Sequence, residues 1–167
     1  MSLLACTNDA CIARSPLPLH PSFFQNFDRA LMQLDEKFLF LASDHQMVTQ
    51  ADEEKKVVVA ERGPLIFVFN FHVSKTYDAL EIGAGEPGKY RVALDSDGFD
   101  FGGEGRVGWD VDHFTRPGGP TCSIGPYPAD VRPCALTVLA PSRTVQAYVR
   151  LPDQQVLPKT EESEFES

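Results

Sequence analysis

Most side chains that could take part in chemistry lie in one glycine-rich segment, residues 95–114. They comprise carboxylates, an arginine, a histidine and aromatic rings: Asp95, Asp97, Asp100, Glu104, Arg106, Trp109, Asp110, Asp112, His113 and Phe114. A pair of carboxylates about 5 Å apart supplies the acid and the nucleophile of retaining glycoside chemistry. Acidic residues in such loops more commonly bond their own backbone as turn formers, so both interpretations stay open.

Other catalytic or metal-binding patterns are absent from the sequence. The run from Asp110 to His113 has the residue types of a cation site but too few ligands for a calcium cage. No GxSxG, Walker-type or HExxH pattern occurs, and His45, His72 and His113 have no partner at a useful spacing. The sequence therefore predicts no catalytic residue, no metal site and no cofactor.

Trp109 is the single tryptophan and stands among charged residues. An aromatic face can pack on the apolar side of a sugar ring while polar neighbours reach its hydroxyls. Trp109, His113 and Phe114 are therefore candidate carbohydrate-binding residues. The alternative is that Trp109 packs against the edge of the fold, which is the commoner role of large aromatic rings.

Composition excludes several classes of partner. Lys plus Arg number 15 and Asp plus Glu 24, so the formal net charge of −9 repels nucleic acid and anionic membrane surfaces. No apolar run reaches the roughly 18 residues of a membrane span, and the N-terminus lacks the basic and apolar regions of a secretory signal. The cysteines form no CxxC pair and are expected to be reduced thiols of an intracellular protein: Cys6, Cys11, Cys122 and Cys134.

A helix is the first element that must position these side chains. Apolar residues recur at spacings of three and four from Phe23 to Leu41, which predicts an amphipathic helix, with a break near Asp35 as one option. Its wide apolar face needs a partner, either the outer face of the following hairpin or a surface outside this chain.

The rest of the chain predicts short strands. The runs Val57–Ala60 and Leu65–Phe71 flank a turn at Glu61–Pro64 and predict a hairpin, because the turn contains Gly and Pro. The other predicted strands are 47–50, 76–82 with weak pairing, 89–94 half exposed, 135–139 and 144–150. In the last of these, Val145, Ala147 and Val149 alternate with Gln146, Tyr148 and Arg150. This order predicts a mainly β fold, an antiparallel β-sandwich preceded by one or two amphipathic α-helices.

Six blocks of sequence, in a fixed order, carry a family resemblance. They are FDRALMQLDEKFLFLAS (27–43), DEEKKVVVAERG (52–63), LIFVFNFH (65–72), PGKYRVALDSD (87–97), FGGEGRVGWDVDHFT (101–115) and APSRTVQAYVR (140–150). Together they resemble the C-terminal part of plant-type 1,4-alpha-glucan (starch) branching enzymes, of the alpha-amylase superfamily. Glu104 and Trp109 depart from the family, in which histidines are common at both positions.

The resemblance implies a division of the chain into a disordered or foreign N-terminus (1–21), a helical segment similar to the end of the catalytic barrel (22–43), a C-terminal all-β sandwich (44–151) and a disordered acidic tail (152–167). The family cuts an α-1,4 glucan and rejoins the freed chain through an α-1,6 bond, with its catalytic residues on the barrel. A domain without activity of its own is therefore implied.

Two alternatives to this implied function remain. The chain could instead serve as a non-catalytic α-glucan-binding module, or as an interaction domain that docks on a separate catalytic chain. The implied partners are starch or glycogen and the catalytic barrel or another subunit. The resemblance implies a plastid location, with the cytoplasm as the alternative.

Overall fold

One α-helix and eleven strands form the part of the chain that the computed structural model describes, residues 21–122 and 130–152. The helix α1 spans Pro21–Phe38, and a short 3-10 helix spans Phe99–Phe101. The strands are β1 (Gln46–Asp52), β2 (Val57–Arg62), β3 (Leu65–Asn70), β4 (Tyr77–Ala84), β5 (Lys89–Asp95), β6 (His113–Phe114), β7 (Arg116–Pro117), β8 (Thr121–Cys122), β9 (Asp130–Val131), β10 (Cys134–Ala140) and β11 (Thr144–Leu151).

The strands form two facing antiparallel sheets. The larger sheet has the order β1-β2-β3-β11-β5-β6, and the smaller has the order β4-β10-β7. Strands β8 and β9 form a separate small hairpin. The predicted mainly β fold with a preceding helix is confirmed, and the structure shows one helix within the described residues.

The hairpin β2–β3 forms where its residue types predict it. Arg62 pairs with Leu65 across a tight turn, in which Gly63 has a φ of +55°. This φ lies in the left-handed region that glycine enters at little cost. The backbone N–H of Gly63 also donates to the carbonyl of His45 at 3.0 Å, which ties the turn to the chain entering β1.

Strand β3 is apolar on both faces because it separates two cores. Ile66 and Val68 point between the two sheets, into a core that also contains Ile82 of β4 and Leu136 of β10. Leu65 and Phe67 point outward to α1, which places Leu34 and other apolar side chains on them. The side-chain alternation of a strand produces both results. Of the two partner surfaces considered for the helix, the hairpin's outer face is therefore contacted within this chain.

Helix α1 ends three residues before its apolar pattern does. It runs unbroken past Asp35, so the predicted break there is wrong. Leu39 has a φ of +51° and donates its N–H to the Asp35 carbonyl, while the Asp35 carboxylate accepts the N–H of Leu41 at 2.8 Å. These hydrogen bonds terminate the helix.

Among the described residues, no helix has the length and apolar character needed to cross a bilayer.

One prediction about an individual strand is wrong. Strand β4 pairs with β10 from Ala84 back to Tyr77, so its pairing is extensive rather than weak. In β11 the predicted alternation left open which side is enclosed, and Gln146 and Tyr148 are both completely buried on the side facing the smaller sheet. Strand alternation separates the two sides, but only the stacking of the sheets decides which of them is enclosed.

Some predictions concern residues outside the described part. The predicted disordered N-terminus and acidic tail fall, except for one residue each, at residues 1–20 and 153–167. Of the cysteines, Cys134 is a buried free thiol, and the side chains of the other three lie outside the described part.

Candidate functional site

Asp97 fixes the glycine-rich loop instead of facing a ligand. Its carboxylate accepts the backbone N–H of Glu104 at 3.2 Å and that of Arg106 at 2.8 Å. The Arg106 guanidinium adds two further hydrogen bonds, at 2.8 and 2.9 Å. Burial by itself would raise the pKa of Asp97, but the hydrogen bonds from Arg106 and Glu104 outweigh it and hold this pKa below its ordinary value.

Asp95 is enclosed completely and has a different environment. Its Oδ1 accepts the backbone N–H of Asp97 at 3.0 Å and lies 3.4 Å from the amide nitrogen of Gln146. Its Oδ2 has no hydrogen-bond partner among the described residues. Burial raises the pKa of Asp95, and burial with the nearby Asp95 charge also raises the pKa of the Tyr148 hydroxyl.

Asp112 is held by two cations of the neighbouring strand β5. Its Oδ1 accepts Arg91 Nη2 at 2.6 Å, and its Oδ2 lies 3.2 Å from Lys89 Nζ. The hydrogen bond from Arg91 is the main reason that the pKa of Asp112 is lowered. Asp95, Asp97 and Asp112 thus bond to neighbouring groups of the protein, and the described residues contain no group of three or more potential metal-binding side chains.

The three predicted carbohydrate contacts occupy different environments, two of them in the edge strand β6 and one in the turn before it. His113, in the edge strand β6, lies with its Nδ1 3.0 Å from the carbonyl of Thr137 and its ring 5.3 Å from that of Tyr148 in an edge-to-face contact. His113 therefore contacts a strand of each sheet. Phe114, the next residue along β6, is 70% exposed, and Trp109 is 44% exposed. Only these two of the three offer a largely accessible aromatic surface.

A charged cleft that the sequence did not predict lies at the turn of the β2–β3 hairpin. Glu61 is buried there, with its Oε2 3.0 Å from His45 Nε2 and 3.1 Å from Arg132 Nη2. One signal was available: Glu61 follows Val57 and Val59 at the inward-facing positions of β2, where a carboxylate is unusual. Because Glu61 was assigned to the turn, its burial was not predicted.

A comparison with protein families agrees with this two-sheet geometry. Residues 47–150 match the family described as "Alpha amylase, C-terminal all-beta domain". The chain belongs to this family. The matched range begins in β1 and ends in β11, so it includes both sheets of the sandwich.

Curated relatives of this alpha-amylase C-terminal domain are 1,4-alpha-glucan-branching enzymes. The chain is 48% identical over 137 residues to the chloroplastic/amyloplastic enzyme of Oryza sativa subsp. japonica, covering 82% of this chain and 17% of that protein. It is 59% identical over 101 residues to the enzyme of Solanum tuberosum, covering 60% and 12%. It is 37% identical over 125 residues to the enzyme of Equus caballus, covering 75% and 17%. The resemblance to branching enzymes is confirmed, and the chain matches less than a fifth of each relative's length.

Proposed function

We propose that this chain is the C-terminal β-sandwich domain of a 1,4-alpha-glucan-branching enzyme and forms no branches by itself. The names of its relatives and the small share of their length that it matches support this function. The geometry supports the lack of activity, because Asp95, Asp97 and Asp112 are each held by hydrogen bonds to neighbouring groups of the protein.

The observation that carries this proposal is a broad apolar surface on the helix side of the larger sheet. The rings of Phe67, Phe69 and Phe71 follow one another along this side, with centroids 6.3 and 5.9 Å apart, and Phe71 is 63% exposed. Further exposed apolar side chains occur on α1, just after it and just after β3: Phe24, Met32, Leu39, Leu41 and Val73. Large exposed apolar side chains in such numbers are typical of interaction surfaces. The catalytic part of the enzyme is the occupant that we assign to it.

A domain exchange tests this function. The segment of the Solanum tuberosum enzyme that aligns with this chain is replaced by the chain, and amylose branching is followed by the fall in iodine absorbance. The chimera is expected to branch amylose, whereas the chain alone is not. A chimera with Phe71→Asp and Leu41→Asp should lose activity, and one with the matched exposed change Glu53→Lys should keep it.

Two results would contradict the proposal. Branching by the isolated chain at a rate comparable to that of the full potato enzyme would show that it has its own active site. A chimera that folds, by circular dichroism, yet gives no branching would show that this domain cannot replace that of the relative.

Binding of α-glucan at the sheet edge is a second candidate function. Phe114 is exposed in β6 and pairs with Lys89, which binds Asp112, and Trp109 is exposed in the turn that precedes β6, so aromatic faces and hydrogen-bonding groups both occur here. Affinity electrophoresis in gels containing amylopectin tests it. Trp109→Ala should migrate faster than wild type, and the control Val111→Ala, at a position that is 50% exposed, should not. Equal retardation of all three proteins would remove Trp109 from the site.

The plastid is the location we assign to the protein. This rests on the names of plant relatives from Oryza sativa and Pisum sativum, which are described as chloroplastic/amyloplastic. Immunoblotting of purified plastids against a cytosolic fraction from the source cells tests this location. A signal confined to the cytosolic fraction would contradict it.

A further inference from the structure

An apolar cavity of about 260 Å³ lies between helix α1 and the outer face of the larger sheet. Phenylalanine rings from the helix, from the residues just after it and from β3 contribute to its walls: Phe27, Phe40, Phe67 and Phe69. Two small side chains, Ala60 of β2 and Ala147 of β11, also line it and leave the space that larger side chains would fill. The proposed domain function concerns the exposed side chains of this side and does not use the cavity.

Aromatic contacts hold the walls in place. The ring centroids of Phe40 and Phe67 lie 5.2 Å apart in a tilted contact, and those of Phe67 and Phe69 lie 6.3 Å apart in a stacked one. Phe40, Phe67 and Ala147 are buried, whereas Phe27 and Phe69 are only partly buried. The floor of the cavity is therefore packed into the fold, while the partly buried rings leave it reachable from solvent.

The lining offers almost no polar group to a ligand. Among the described residues that line the cavity, Arg62 is the one with a charge, and its Nη2 donates at 2.6 Å to Gln46 Oε1, which is not part of the lining. A charged or hydrogen-bonding guest would lose its water and gain no partner, which is unfavourable. A peptide segment would bring backbone N–H and C=O groups and is disfavoured for the same reason. The electrostatics of the cavity thus select a small neutral molecule.

The size of the cavity limits that molecule further. An apolar cavity of about 150 Å³ holds one benzene molecule, so the larger volume here has room for two fused rings. The atoms of an empty apolar wall lack contacts that a guest would supply, and an aromatic guest also gains from offset and edge-to-face contacts with phenylalanine rings.

We infer that this cavity binds a neutral apolar molecule of about two fused rings, packed among Phe40, Phe67 and Phe69. The site shares no lining residue with the charged cleft at the β2–β3 turn. It also lies apart from the loop that carries Trp109, because its walls come from α1, β2, β3, β5 and β11 and from Phe40.

Titration of the full chain with indane, a neutral hydrocarbon of two fused rings, tests the inference by methyl-resolved NMR. The methyl resonances of Leu94 and Ala147, which line the cavity, should shift and saturate. Those of Ile82 and Leu136, which are buried between the two sheets, should not move. Indan-5-ol is the matched control that adds one hydroxyl, and it should bind about tenfold or more weakly because this hydroxyl finds no partner.

A variant that fills the cavity from within provides the second test. Ala60→Phe should abolish the indane shifts, because the added ring occupies the cavity. The same change at an exposed position of β4, Ala79→Phe, should leave them unchanged. If circular dichroism shows that Ala60→Phe does not fold, Ala60→Leu adds less volume and should still weaken indane binding about tenfold or more.

Several results would overturn the inference. They are the absence of a saturable shift at Leu94 and Ala147 up to the solubility limit of indane, equal affinity for indan-5-ol, and unchanged affinity in the folded Ala60 variant. Indane that binds the chain but not the active chimera of the domain exchange would identify a side chain of the catalytic part as the occupant, and would also overturn it. Amylose branching by the chimera does not require a ligand in the cavity, so this inference and the proposed function fail independently.

Discussion

Replacing Asp97 is expected to release the loop that carries Trp109. In Asp97→Ala the backbone N–H groups of Glu104 and Arg106 lose their acceptor, and so does the Arg106 guanidinium. Breaking a buried ion pair costs about 3–5 kcal/mol, but Arg106 is 33% exposed and regains water, so its share falls to about 1–2 kcal/mol. The freed backbone groups add about 1 kcal/mol each. We expect a total loss of about 3–4 kcal/mol.

Urea unfolding followed by tryptophan fluorescence and by circular dichroism measures this loss. The control Asp110→Ala, at an exposed aspartate of the same loop, should change the free energy of unfolding by less than about 0.5 kcal/mol. Trp109 fluorescence should move towards that of a hydrated indole in Asp97→Ala and stay unchanged in Asp110→Ala. An Asp97→Ala protein as stable as the control would refute the assignment of Asp97 as the anchor of the loop.

The pH dependence gives an independent check on Asp97. Because its pKa is lower in the folded chain than in the unfolded chain, its contribution to stability is complete above the ordinary carboxyl range. That contribution is lost as the pH falls below about 4, through the folded-state pKa. The stability difference between wild type and Asp97→Asn should therefore shrink in acid. A difference that stays constant from pH 7 to pH 3 would contradict the lowered pKa.

Two further predictions concern the interior. Ile82→Ala, at a fully buried position between the sheets, should lower the free energy of unfolding by about 2–5 kcal/mol in urea, whereas Met32→Ala, 62% exposed on α1, should change it little; equal losses would contradict the assigned core. Asp95 has a raised pKa, so its ionisation above the ordinary carboxyl range disfavours folding. Asp95→Asn should thus be more stable than wild type at pH 7, with the gain fading as the pH falls towards 4. A less stable Asp95→Asn at pH 7 would show that the charge is needed.

Part of the candidate site could be predicted from residue types. Acidic residues in a glycine-rich loop were expected to bond their own backbone, and Asp97 does so through the N–H groups of Glu104 and Arg106. Trp109 and Phe114 were singled out, and both are exposed. The contact of His113 with both sheets could not be predicted, because its partner carbonyl at Thr137 lies 24 positions away in the chain.

The sequence alone determined the local structure: the hairpin at Gly63, the helix that begins at Pro21 and the alternation of β3 between two apolar faces. These depend on neighbouring residues, through the φ that a turn requires and the period of a strand. Only the tertiary structure decided that Gln146 and Tyr148 face inward, and that Glu61 meets His45 and Arg132 in a cleft. Both results depend on how the sheets stack and on which distant segments this brings together, and no local period of the sequence encodes either.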